Sequence, residues 1–214
     1  MNEIKTLKRQ YTSVDGSFGG SQLYFMESRR PFSKSKKTGG CGVVAIGDVI
    51  AYLKSQSKFP DKETYMKYFN KISKRIGWIP NRFGLTFIQE TLGMAHTLSK
   101  ENLPYKCRWC FSKRKLYTRV HEMIDNDTPV ILCIPKSIGP KRDLLPFYDK
   151  NLVKVNSTCG HFVVITGIHC EGNEIFFEIS SWGTKYYINM KEFIRFQKKH
   201  LMGLLGNILY IKRK

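Results

Sequence analysis

The chain lacks any run of eighteen or more apolar residues, so no segment is expected to span a membrane. Its opening stretch, MNEIKTLKRQYTSVDG, lacks an apolar h-region. No secretory signal is therefore expected and the default compartment is cytoplasmic, with export by another route left open. Acids are scarce: 17 Asp and Glu stand against 36 Lys and Arg, for a net charge of +19. Such a balance attracts polyanions, whether nucleic acid, an anionic membrane surface or an acidic polypeptide. The excess is spread through residues 1–40, 101–120 and 185–214, which fits solubility better than a surface built to read nucleic acid. Repeats and low-complexity tracts are absent. A second CxxC or an HxxxH to complement Cys107-Arg-Trp-Cys110 is also missing, and a structural zinc needs four ligands. Cys159 and His121 would complete such a site only by an accident of folding, so neither a metal nor a cofactor is expected.

What is present suits a globular protein. The 214 residues are 42% hydrophobic and 13% aromatic, enough for one domain with a substantial core. A chain of this size needs no disulfide scaffold, and Cys133 and Cys170, in or beside apolar runs, read as buried thiols.

Residues 1–37 read as an irregular surface arm, with one short strand near Gln22–Met26 and a basic run over Ser33–Lys37. Residues 38–214 read as a single domain. Its helical half, about 38–126, carries the helix after Cys41, a second over Pro60–Gly77, a third over Gly84–Leu98 and a fourth over Lys113–Asp125. Tyr65, Tyr68, Phe69 and Ile72 recur at helical spacing in the second; Leu85, Ile88, Leu92 and Ala95 do so in the third. The sheet half, about 127–214, carries strands at Val130–Ile134, His161–Ile168, Glu174–Ile179, Lys185–Ile188 and Ile208–Lys212. The second and third of these join as a hairpin across Glu171-Gly172-Asn173. Pro135–Thr158 reads as a long loop, and Asn189 as the cap of a helix over Met190–His200. Helices first and strands second predict an α+β fold with an antiparallel sheet.

One stretch organises the rest: Thr38–Leu53, TGGCGVVAIGDVIAYL. Cys41 stands between glycines at the threshold of an apolar helical run. A thiol in the first turn of a helix lies at the positive end of the macrodipole, which favours thiolate. Free N–H groups there can hold an oxyanion. The competing reading is a buried structural cysteine. A thiolate nucleophile needs a histidine partner and a group to orient it. His96, His121 and His200 fall on predicted helices and read as surface or half-buried polar residues, and His169 beside the hairpin turn reads as exposed. His161 differs, because it follows Cys159-Gly160 and opens the most apolar strand of the chain.

Gly-Cys41-Gly at a helix start, Gly160-His161-Phe-Val-Val-Ile-Thr-Gly opening a strand, and Ser180-Ser181-Trp182-Gly183 ending the next together resemble the papain-like cysteine peptidases. Asp127-Thr-Pro-Val-Ile before the His strand is more similar to the bacterial branch related to bacteriocin-leader (double-glycine) peptidases. The resemblance spans roughly residues 38–195. Cys41 lies 120 residues before His161 and 139 before Ser180, against about 130–150 in the papain pattern.

The resemblance implies a papain-like fold, with the Cys helix packed on the sheet. It also implies a thiol hydrolase of peptide or amide bonds working through a thioester, with Cys41 as nucleophile and His161 as base and then acid. The Cys41 N–H would be one oxyanion donor. Two positions depart from the pattern. The orienting Asn or Asp is replaced by Ser180, with Glu178 two residues earlier as a possible substitute. The glutamine about six residues before the Cys is replaced by Ser35; the nearest glutamine is Gln22, which an inserted Arg29–Lys37 loop would bring into place as the second oxyanion donor. Trp182 would shield the His161–Ser180 contact, or serve simply as a core aromatic. Acyl or amide transfer on the same fold, and a catalytically degraded polyanion- or protein-binding module, stand as alternatives. A substrate or partner is expected to be neutral or acidic, the oligomeric state is open, and nucleic acid is the less favoured partner.

Overall fold

The computed structural model describes residues 3–25, 39–77, 84–112, 114–138, 142–200 and 207–214. The Ser33–Lys37 run, Ser35, the Arg29–Lys37 insertion, Thr38 and Met26 lie outside the described residues. The chain is an α+β protein that divides into two compact units. One comprises Gln10–Cys107, Ser181–Thr184 and Lys212–Lys214; the other comprises Met1–Arg9, Arg108–Ser180 and Lys185–Ile211.

The first unit is mainly helical. Helix α1, Cys41–Leu53, is apolar but for Asp48 and buried from Cys41 to Tyr52, as a helix enclosed on all sides must be. Helix α2, Lys62–Arg75, is capped by Asp61, which accepts the Thr64 N–H, and turns Tyr65, Phe69 and Ile72 inward. Helix α3, Phe87–Lys100, starts with a capping box between Thr86 and Gln89. Its buried face is Glu90, Gly93, Met94, Thr97 and Leu98, whereas Ile88 and Leu92 are exposed. Of the expected Leu85–Ile88–Leu92–Ala95 face only Leu85 is buried, so the inward face within the helix is rotated. The reason is close approach: a Cβ on Gly93 would lie 2.9 Å from Ile76, so the small residue rather than the leucines marks the contact. Tyr11, Phe18, Phe25, Phe59, Tyr65 and Phe69 add an aromatic cluster with ring centroids 4.8–5.2 Å apart in the closest pairs.

The second unit is built on a large sheet. In chain order the strands are β1 (Glu3–Thr6), β2 (Ser13–Val14), β3 (Lys58–Phe59), β4 (Tyr105–Cys110), β5 (Val130–Ile134), β6 (Leu145–Tyr148), β7 (Lys154–Thr158), β8 (His161–Glu171), β9 (Glu174–Ser181), β10 (Thr184–Asn189) and β11 (Ile208–Arg213). Strands β2 and β3 form a small parallel pair in the helical unit; the others, apart from β1, run in the order β4-β11-β5-β8-β9-β10-β6-β7, and β1 pairs with β8. Strand β8 is the spine. On one edge it pairs with β9; on the other, β5 takes residues 161–165 and β1 takes residues 167–170, all antiparallel. Helix α4, Leu116–Asp125, buries Leu116, Val120, Met123 and Ile124, and packs against β8 and β1. Helix α5, Met190–Lys199, is capped by Asn189, which accepts the Lys191 and Glu192 N–H groups.

Three expectations are corrected. The N-terminal arm is not irregular throughout, because β1 extends the sheet. The Pro135–Thr158 loop contains the β6–β7 hairpin. Tyr105–Cys110, not expected as a strand, is β4, and its Cys107 and Cys110, three residues apart, fall on opposite faces of it.

Candidate active site

Cys41 is the first residue of α1 and is 7% exposed. Gly40 precedes it as N-cap without a side-chain hydrogen bond, and no acid stands in the first turn. A helix start of this kind leaves backbone donors directed past the N-terminus, where a thiolate or an oxyanion is favoured. Cys41, Gln22 and Trp182 belong to the helical unit; His161, Ser180 and Glu178 belong to the sheet unit.

Gln22 opens a 3₁₀ turn, Gln22–Phe25, in place of the short strand expected there, and is buried. Its approach is held by a residue of α1. Asp48, 1% exposed, accepts the Gly20 N–H at 2.8 Å and the Tyr65 hydroxyl at 2.7 Å. Burial pushes its carboxyl up to about 6 against the pull of the Gly20, Tyr65 and Tyr11 hydrogen bonds. Thr12 Oγ1 donates to the Asp48 carbonyl at 3.0 Å, so the chain from Thr12 to Gly20 is tied to the Cys41 helix at both ends.

Trp182 stands in the turn between β9 and β10 with φ of 52°, and Gly183 follows with φ of 76°. Two successive positive φ values match the twist a tight hairpin needs, but a tryptophan in that region is strained. Neighbours hold it there: Phe18 N–H donates to the Gly183 carbonyl at 3.0 Å, and the Ser17 and Tyr24 hydroxyls, 2.9 Å apart, close over Gly183.

His161 opens β8, pairs with Ile134 of β5 and is 6% exposed. Gly160 before it has φ of 63° and its N–H donates to the Pro135 carbonyl at 2.8 Å. A Cβ at Gly160 would lie 2.6 Å from the Lys136 chain, so only glycine delivers the histidine along this path. Burial pushes the His161 imidazole down to about 3, which favours the neutral ring and weakens it as a base.

Ser180 pairs with Val164 in the β8–β9 ladder and is 5% exposed. Glu178 pairs farther along, opposite Gly167. Its carboxylate accepts from Thr166 at 2.9 Å and Lys185 at 3.0 Å, and lies 3.4 Å from His169 Nε2. Burial raises this carboxyl, but the His169, Lys185 and Thr166 contacts win, holding it below its ordinary value. The histidine that Glu178 serves is thus His169. A strand rise of about 3.3 Å per residue carries Gly167 roughly 20 Å along β8 from His161, so the assignment of Glu178 as the group orienting His161 is withdrawn. His169 is itself half-buried against the Tyr187 ring, at 4.8 Å, rather than exposed.

Two buried acids of the helical unit, Asp48 and Glu90, were not picked out as site residues by sequence reasoning. Asp48 was visible as the one charge inside an apolar helix, a position that demands donors. Glu90 was hidden by the choice of the wrong helix face. No protein-family profile matches the chain, and no curated protein matches it.

Proposed function

We propose that the protein is a papain-like thiol hydrolase that cleaves peptide or amide bonds through Cys41 and His161. The observation that carries the reading is Cys41 as the first residue of a thirteen-residue buried helix whose N-terminus has no side-chain cap. A helix N-terminus of this kind favours a negative charge and supplies an N–H to a developing oxyanion. His161 takes the thiol proton as general base and returns it to the leaving amine; burial by itself weakens the ring as a base, and the charge of the Cys41 thiolate offsets that cost. Ser180, by motif, accepts a hydrogen bond from the ring; Gln22, held through Gly20 by Asp48, is the second oxyanion donor. The thioester is then released by water.

A substrate that is neutral or acidic near the scissile bond suits a chain of net charge +19. The test is cleavage of acidic, neutral and basic peptide libraries at low and high salt, with Cys41→Ala as control. Cleavage that survives Cys41→Ala overturns the enzyme reading, and a preference for basic peptides overturns the polarity.

A further inference from the structure

Glu90 lies on α3, is 0% exposed, and has no hydrogen-bond partner for either carboxyl oxygen among the described residues. A buried, unpaired carboxyl is costly and calls for an explanation. The side chain is directed at the first turn of the Cys41 helix: a Cβ on Gly42 would stand 2.3 Å from Glu90 Oε2 and 2.9 Å from Leu85. Gly42 is thus the residue whose missing side chain makes room for the carboxyl, and it directly follows Cys41.

On the helices packed against α3, Lys62, Glu63, Lys67, Lys71 and Lys74 of α2 are exposed, and the buried or half-buried groups other than Cys41 are engaged or remote. On α1, Asp48 is held by Gly20 and Tyr65, and Tyr52 lies in the last turn. On α2, Tyr65 donates to Asp48, Tyr68 donates to the Gly47 carbonyl, and Arg75 pairs with Glu101 at the far end of α3. No cation among these meets Glu90, and burial drives its carboxyl far above the ordinary carboxylate range.

We propose that Glu90 is a positioning residue that governs the charge felt at Cys41. As a carboxylic acid it leaves the thiolate to the positive end of α1; as a carboxylate it opposes that end from beside Gly42. The inference rests on the reading of Cys41 as nucleophile. An acid rather than an amide or a leucine at this place makes the thiolate's surroundings sensitive to alkali.

The experiment labels the full chain with iodoacetate and, separately, iodoacetamide, following the Cys41 peptide by mass spectrometry. Both reagents need the same thiolate, so the ratio of their rates cancels the thiol's own ionisation and reports the local charge. Between about pH 5 and about pH 10, the ratio for the wild type should fall at least about threefold further than in Glu90→Gln, because only the anionic reagent meets the new charge. Glu90→Leu, of similar volume, should behave as Glu90→Gln and serves if the amide does not fold. Variants whose ratios track the wild type overturn the inference and leave the enzyme reading standing. A Cys41 no faster than Cys133 or Cys170 at any pH overturns both.

Discussion

The Tyr65 hydroxyl donates to one oxygen of the Asp48 carboxylate at 2.7 Å while the Gly20 N–H reaches the other at 2.8 Å. The pair joins α2, α1 and the chain leading to Gln22 in one buried contact. Its geometry leaves Gly20 pressed against the Tyr65 ring, where a Cβ would stand 1.9 Å from ring atoms.

Gly20→Ala is therefore expected to be among the most damaging single-methyl additions in the chain. The clash moves either the ring or the Gly20 N–H, and both movements strip the Asp48 carboxylate of a donor. Overpacking of this kind costs about 1–3 kcal/mol and loss of a donor to a buried charge about 1–3 kcal/mol more. Urea denaturation at neutral pH measures it. A change below about 0.5 kcal/mol would show that the contact carries no strain.

Acid should expose His161. Its imidazole is pushed down to about 3 in the folded chain from 6.5, so the unfolded chain takes the proton first. Stability then falls as pH drops from 6.5 towards 3, by up to about 1.4 kcal/mol per pH unit for this one group. His161→Gln should flatten that part of the profile when denaturation midpoints are compared at several pH values. An unchanged slope would place the histidine's proton affinity near normal.

Glu178 gives the opposite sign. Its carboxyl is held below the ordinary value, so its contribution to stability is present above about pH 4.5 and is lost as pH falls through the folded value. Glu178→Gln weakens the Lys185 and His169 contacts, and about 1–3 kcal/mol of stability should go near neutral pH. The rate of Cys41 alkylation should change less than about twofold, because Glu178 serves His169 rather than His161. A tenfold slowing would restore it as the orienting residue.

Ser180→Ala is expected to act the other way round. Stability should shift by less than about 1 kcal/mol, while the Cys41 alkylation rate near neutral pH should drop several-fold if the hydroxyl holds the His161 ring. Equal rates in the two proteins would assign the activation of Cys41 to the helix terminus and His161 alone.

Elements whose pattern is local were legible in the chain. The apolar run after Cys41 could only be a buried helix, and Asn189 marked a helix start because its side chain accepts the first free N–H groups. The apolar stretch from His161 and the Gly172 turn announced the β8–β9 hairpin. Strand β1, by contrast, is four residues of which none is fully buried, and nothing in EIKT distinguishes it from a surface arm. It is a strand because the far half of β8 offers an open edge. The β6–β7 hairpin was hidden for the same reason, since exposed Val153 and Val155 give no face to read.

The sequence by itself determined the α+β character and the placing of Cys41 at a helix start and of His161 at a strand start. These follow from periodicity and glycine placement, which neighbours along the chain reveal. Only the tertiary structure decided which face of α3 turns inward, that Glu90 rather than Leu92 meets the Cys41 helix, and that Glu178 answers to His169. Those outcomes depend on strand register and on how closely two backbones approach, and both are set by residues distant in sequence whose spacing carries no trace of the contact.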